Sequence, residues 1–356
     1  MTIRAHNAWR NGTVPPHGMD QLNSTRRFAC GAAHGTRSAS MPLSNTELRH
    51  YDSHVLRLPA DKRSEYHQQV DRLINALTKR LHEQQVVKIT KVVKAGSFAK
   101  FTILRKTSED PVDVDVVFYI ADRNADHETL ASLSEEIYKA LIALYPNKAI
   151  EDFEIQRKAA TVTFTGSGLS VDIVPVIEDA SRPGYGWQFD LQDGTKVQTC
   201  APCQIKFVKD RKDQDADFRT LVRMAKRWRR HAGLDHLKSF AVELIMAHVL
   251  EINGTAGSIE KRFRDFLLYI AQSELQEHIS FPENGAVSTT FTSPVVILDP
   301  VCSTNNVTSR LSEEERREIV TTAAEAWATA NFASAEDDWE LWKELFGPRF
   351  KVSEDA

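Results

Sequence analysis

Residues 112–120 read VDVDVVFYI, and the interpretation of that stretch decides the fold. Successive residues of a strand point to opposite faces. Asp113 and Asp115 therefore project side by side from one face, while Val112, Val114, Val116 and Phe118 line the other. Two carboxylates at that spacing repel one another unless a cation sits between them. Mg²⁺ is the fitting ion, being hard, oxygen-loving and commonly shared with substrate phosphates.

The flanking sequence supplies what such a site needs. Upstream, the β-branched run 86–93 ends in Gly96-Ser-Phe-Ala-Lys-Phe-Thr102, which reads as a strand running into a turn. Glycine there lets backbone N–H groups approach an anion closely, and Ser97 adds a hydroxyl. Downstream, residues 169–176 read LSVDIVPV, an apolar strand whose one acid is Asp172. Paired with 112–120, it would complete a two-metal site. Such a site lowers the pKa of an attacking hydroxyl and neutralises charge on a departing pyrophosphate. An isolated Asp-x-Asp is a common strand end and an isolated Gly-Ser turn is weak. The combination is what points to metal-assisted chemistry.

Around these strands the pattern is mixed α/β. Tyr66, Val70, Leu73, Leu77 and Leu81 keep helical spacing, and ordered structure is expected to begin near Leu56. A second amphipathic helix spans 130–144 and stops before Pro146. Gly166-Ser-Gly168 between two β-branched runs predicts a hairpin, hence antiparallel pairing at the centre of the sheet. Residues 184–194 read as loop. Beyond them lie helices at about 204–231, 238–252, 257–276, 312–331 and 336–346, with Ser312 and Glu315 forming a capping box.

Composition narrows the functional classes. In 356 residues the net charge is −4, so any nucleic-acid contact would need a local basic patch, for which Lys206, Lys209, Arg211, Lys212 and Arg227 are candidates. No apolar run is long enough to span a membrane. Four cysteines do not make a disulfide framework, and the Cys200/Cys203 pair is only half of a structural zinc site. Phosphate-loop, zinc-helix and nucleophile-elbow motifs are absent. Residues 1–40 carry five arginines, no lysine and one acid, without an apolar period. They are expected to be a disordered tail or a non-native start, with Met41 as the true beginning.

The pattern resembles nucleotidyltransferases of the DNA polymerase β type, and more narrowly the cGAS/DncV-like enzymes (CD-NTases) of bacterial CBASS anti-phage signalling, relatives of oligoadenylate synthase. Arg219–Trp228 is similar to the family's helix bearing a lysine and a tryptophan, and Lys238–Leu244 to the next helix with its serine. Ile297–Val307 resembles its "DP…NNV" segment. Gly166-Ser-Gly-Leu169, Asp193-Gly194 and Trp342…Phe346-Gly347 match the subgroup called clade C. One departure is Phe101, where that subgroup has glycine.

The resemblance implies a polymerase-β-like core at 41–190 and a helical domain at 191–356 closing the nucleotide cleft. Asp113, Asp115 and Asp172 would be catalytic and hold Mg²⁺. Gly96, Ser97, Lys226 and Ser239 would bind the donor nucleotide, while Arg219 and Arg230, which share the basic arc of the same helix as Lys226, are expected to be solvated. Tyr185 and Trp187 are candidates for stacking on a purine. The expected product is a cyclic oligonucleotide, foremost cyclic tri-adenylate, made from ATP or other NTPs in the bacterial cytoplasm. Expected partners are a HORMA-domain activator and a nucleic-acid activator. The alternatives are a nucleotidyltransferase acting on RNA ends or a small molecule, and a non-catalytic nucleotide-binding module.

Overall fold

The acid-bearing strand lies inside a mixed seven-stranded sheet. The computed structural model describes residues 43–84, 87–105, 111–121, 123–336 and 338–353. The expectation for residues 1–40 lies outside them. The sheet runs β1 (Lys88–Lys94), β2 (Val112–Ala121), β5 (Leu169–Glu178), β4 (Ala160–Phe164), β3 (Phe153–Ile155), and β6 (Gly186–Phe189) and β7 (Lys196–Thr199) extend it from β5.

The hairpin at 166–168 forms, pairing β4 with β5 antiparallel. The central pair, β2 with β5, is parallel, which corrects the antiparallel expectation. The reason lies in the connection: helix α4 (His127–Leu144) and the β3–β4 hairpin intervene, giving a crossover long enough for parallel strands.

One face of the sheet is covered by α2 (Ala60–Glu83) and α4. Tyr66, Val70, Leu73, Leu77 and Leu81 of α2 pack with Val112, Val114, Val116, Phe118 and Ile120 in one core. Both the helical spacing and the strand alternation read from the sequence are thus used. Within the 184–194 region, expected to be loop, residues 186–189 form β6, which pairs with β7 beyond it, and 190–194 is the turn between them. Gly186 is required there because a Cβ would lie 2.3 Å from Val176 Cγ1 and 2.7 Å from the Ile177 carbonyl oxygen.

The remaining chain builds a helical layer. The single helix expected at 204–231 is two, α5 (Ala201–Gln214) and α6 (Phe218–His231). Asp215 breaks it, accepting the Asp217 N–H at 3.0 Å in an Asx-type turn. Arg262 donates to both aspartates at 2.6 and 3.0 Å, and Arg49 also donates to Asp217. Helices α7 (Ser239–Asn253), α8 (Ile259–Ser273), α9 (Glu313–Glu336) and α10 (Trp339–Phe346) follow, with the short pair β8 (Leu298–Asp299) and β9 (Cys302–Asn306) before α9. The Ser312–Glu315 capping box is present, each backbone N–H bonded to the other side chain.

Ordered structure begins before Leu56. Helix α1 (Asn45–Tyr51) opens with a Ser44–Glu47 capping box and runs into a π-helical turn, Asp52–Leu56. Leu48, Tyr51 and Leu56 belong to the helical core, so this first segment lies with the helices rather than with the sheet. The Tyr51 ring meets Phe346 at 5.5 Å and Phe350 at 4.7 Å. Beside it, Arg223 of α6 donates to Asp52 at 2.5 and 2.6 Å in a buried ion pair. Burial alone would push the Asp52 carboxyl up, but Arg223, Arg57 and Thr220 hold it below its usual range.

Candidate active site

Parallel register sets the carboxylates. Asp115 pairs with Asp172 across β2 and β5, and Asp113 pairs with Ser170. Because side chains alternate, Asp113, Asp115, Val117 and Tyr119 share a face with Ser170, Asp172, Val174 and Val176. The deep end of that face is sealed by a small cluster in which Val117, Tyr119, Val174 and Val176 pack on Ala95, Ala159 and Ala201. The acids occupy the other end, toward solvent.

Their electrostatics are those of crowded like charges. Burial pushes the Asp172 carboxyl up to about 6; Thr161, donating to Oδ1 at 2.7 Å, works against this, while Asp115 and Asp113 add to it. Burial likewise raises Asp115, against the pull of Lys100. Among the described residues neither Asp115 nor Asp172 forms an ion pair with a lysine or arginine. Hard oxygen donors of one sign without a paired cation are the chemistry that suits Mg²⁺. In this conformation no three His, Cys, Asp or Glu side chains among the described residues are grouped to hold a metal ion. Asp115 instead turns one oxygen toward Gly96: a Cβ on that glycine would lie 1.7 Å from Asp115 Oδ2.

The expected Gly96–Ser97 turn is a one-turn helix, α3 (Gly96–Lys100), entered through Gly96 at φ 58°. It ends at Phe101, which adopts the left-handed conformation at φ 62° and ψ 29°. This accounts for the glycine usual there. Phe101 tolerates the strain because Arg223 Nη1 donates to its carbonyl oxygen, and Arg63 stacks on its half-exposed ring at 3.6 Å. Phe101→Gly relieves about 1–2 kcal/mol of backbone strain. It loses about 0.5–1 kcal/mol of cation–π contact and adds a similar cost in chain entropy. The net change in unfolding free energy by urea titration is therefore expected within about 1 kcal/mol of zero; a larger loss would show that the ring carries a further load.

Ser97, Asp113, Lys226 and Ser239 line one cleft of about 360 Å³, together with Thr102 and Arg230. Ser239 reaches it as the first residue of α7, and Lys226 from the third turn of α6. Lys226 is 4% exposed and its ammonium is already engaged, donating to Glu243 at 2.6 Å and to the Thr102 hydroxyl at 3.1 Å. Lys100 donates to the other oxygen of Glu243 at 3.0 Å, and the Thr102 hydroxyl donates to the same oxygen as Lys226. Burial would raise Glu243, but the two lysines outweigh it and hold its carboxyl down to about 2.

Reading the sequence singled out Lys226 and missed Lys100, Thr102 and Glu243. The signal was there: Glu243 is the single acid in the otherwise apolar run 240–247.

Of the two arginines expected to be solvated, Arg219 has its guanidinium 5.0 Å from the Phe101 ring and lies outside the cleft lining, whereas Arg230 is exposed at the cleft edge. Arg182 stacks on Tyr185 at 3.5 Å, and Lys196 lies 4.5 Å from the Trp187 ring. Cys200 and Cys203 are joined in a disulfide, so the zinc reading of that pair finds no support. The basic group named as a contact patch is divided: Arg211 is buried between Glu251 and Glu283 and Arg227 donates to the Phe346 carbonyl oxygen, whereas Lys206 and Lys209 are exposed. Among the described residues no helix is long and apolar enough to cross a membrane.

Residues 62–206 match the Second Messenger Oligonucleotide or Dinucleotide Synthetase (SMODS) domain model. The chain is 67% identical over 316 residues to the CBASS oligonucleotide cyclase CdnC of Escherichia coli strain KTE188, covering 89% of this chain and 100% of that protein. It is 30% identical over 305 residues to the cyclic AMP-AMP-AMP synthase of E. coli strain MS 115-1, covering 83% and 94% respectively. Solved structures of E. coli MS115-1 CdnC superpose on it. The one with ATP gives a TM-score of 0.74 at 30% identity over 87% of this chain and 99% of that one. The CdnC:HORMA-deltaN complex gives 0.72 at 29% identity over 86% and 98%.

Proposed function

The chain belongs to the CBASS oligonucleotide cyclases, and from that premise we propose that it condenses ATP into cyclic tri-adenylate at the cleft lined from β2, α3, α6 and α7. The supporting observation is the β2–β5 register, which sets Asp115 beside Asp172 on the face where Asp113 meets the Lys226 and Ser239 cleft. The product assignment leans on the cyclic AMP-AMP-AMP synthase relative.

Asp113, Asp115 and Asp172 would hold Mg²⁺, which when bound supplies a positive centre for the attacking hydroxyl and the departing pyrophosphate. The chain's own residues do the placing. Ser97 and the first N–H groups of α3, which have no partner within a helix start, face the donor phosphates. Lys226 and Ser239 meet them from the helical side. A ribose hydroxyl of the acceptor then attacks the donor α-phosphorus in line, a phosphodiester forms, and pyrophosphate leaves. Thr161, donating to Oδ1, orients Asp172, the carboxylate placed to take the proton of the attacking hydroxyl. Two such couplings and a ring closure give the trimer.

In this reading the core within 41–190 carries the reacting groups and the helices within 191–356 close on the donor. The enzyme works in the bacterial cytoplasm with a HORMA-domain activator, the kind of partner seen with the CdnC relative. The test is to incubate the full chain, with and without its HORMA partner, with Mg²⁺ and each NTP. A phosphatase-resistant product with the mass of three cyclised AMP units is expected from ATP alone. Nucleotidylated RNA, or a linear product only, would overturn the reading.

A further inference from the structure

Beneath the cleft, two ammonium groups share one carboxylate. Lys100 and Lys226 are each 4% exposed, Glu243 is 2% and Thr102 0%. They come from three separate stretches: the end of α3 with the residue after its cap, α6, and α7. Glu243 divides its oxygens, Oε2 to Lys100 at 3.0 Å and Oε1 to Lys226 at 2.6 Å. The Phe240 ring lies 4.0 Å from the Lys100 ammonium and covers it.

The cluster therefore holds one surplus positive charge in a place almost without water, where an uncompensated charge is costly. Asp115 feels both lysines yet forms no ion pair with either. Of the two ammonium-bearing residues, Lys226 lines the cleft beside Ser97 and Ser239 and Lys100 does not.

We propose that Lys100 and Glu243 are positioning residues that keep Lys226 available to an anionic ligand of the cleft, the triphosphate of the donor nucleotide. Glu243 fixes where the Lys226 ammonium stands. Lys100 occupies the other carboxylate oxygen and so prevents Glu243 from neutralising Lys226 fully. The phosphates then supply the charge that the protein withholds. This rests on the reading of the cleft as a nucleoside triphosphate site and adds to it two residues that need not touch the ligand.

Charge counting gives the test. The wild-type cluster is +1; Lys100→Met makes it 0, and Lys100→Met/Glu243→Gln returns it to +1. Glu243→Gln alone would leave two buried ammonium groups face to face, so the paired variants are used. Equilibrium binding of ATP and of adenosine to the full chain is measured in Mg²⁺ buffer. Lys100→Met is expected to weaken ATP about tenfold, the scale of one contact to a charged group, and to leave adenosine unchanged. The double variant is expected to recover ATP affinity to within about threefold of wild type. Equal ATP binding by wild type and Lys100→Met, or a double variant weaker than Lys100→Met, overturns the inference. Parallel losses of ATP and adenosine binding would mark the cluster as merely structural and overturn it too. Failure of the wild type itself to prefer ATP over adenosine would instead remove the triphosphate site on which the inference stands.

Discussion

Asp115→Asn is expected to lower cyclic-product synthesis by about 10²–10³-fold, a loss of about 3–4 kcal/mol of transition-state stabilisation. The protein should melt no lower than wild type. Asparagine keeps the size of the side chain and its approach to Gly96, so the change is almost purely one of charge. Removing one preorganised electrostatic group from a reacting centre costs about 10²–10³ in rate, and Asp115 is held in register with a second carboxylate at the same centre.

Stability moves the other way. Burial raises the folded-state pKa of Asp115, so its ionised form works against folding once the pH exceeds the ordinary carboxylate range. The variant should therefore match wild type in acid and equal or exceed it near pH 7.5. Mass-spectrometric product assay and calorimetry at both pH values decide the matter. Synthesis within tenfold of wild type by a folded variant would remove Asp115 from the chemistry.

The second large effect comes from a residue with no side chain. In Gly96→Ala the new Cβ would lie 1.7 Å from Asp115 Oδ2 and 2.7 Å from its Cγ, at a backbone φ of 58°. The left-handed backbone alone costs about 1–2 kcal/mol. The clash must be relieved by swinging Asp115 away, and about a 10²-fold loss of synthesis is expected, since small misplacements at a reacting centre are costly. If the damage runs through Asp115, adding Gly96→Ala to Asp115→Asn should cost little more than Asp115→Asn alone. Fully additive losses would mean that Gly96 serves the phosphates independently.

What could be read in the sequence was whatever depends on nearest neighbours along the chain. The α2 stripe, the alternation of β2 and the hairpin at 166–168 each place their residues as the period demands. The parallel pairing was hidden because it depends on what the α4 crossover does in space, not on any local signal. β6 and β7 were masked by glycines, one of which exists to let strands approach. The α5–α6 break was masked because Asp215 and Asp217 look like helix-surface acids until Arg262 and Arg49 are seen facing them. In the site, the neighbouring placement of the three aspartates was legible from strand chemistry, whereas Lys226 entered through the resemblance of its helix. Its clamp was not legible, because Lys100 and Glu243 are brought together only by tertiary packing across 143 positions.

The contact of Tyr51 with Phe346 and Phe350 orders events during synthesis on the ribosome. Leu48 and Tyr51 emerge early, but Phe346 and Phe350, the aromatic side chains that meet Tyr51, follow far later in the chain. The β-sheet can assemble while translation continues, whereas the helices cannot lock until Phe346 and Phe350 have emerged. A premature stop before Phe346 would yield a molecule bearing Asp113, Asp115 and Asp172 yet with an open apolar flank where Tyr51 should be covered.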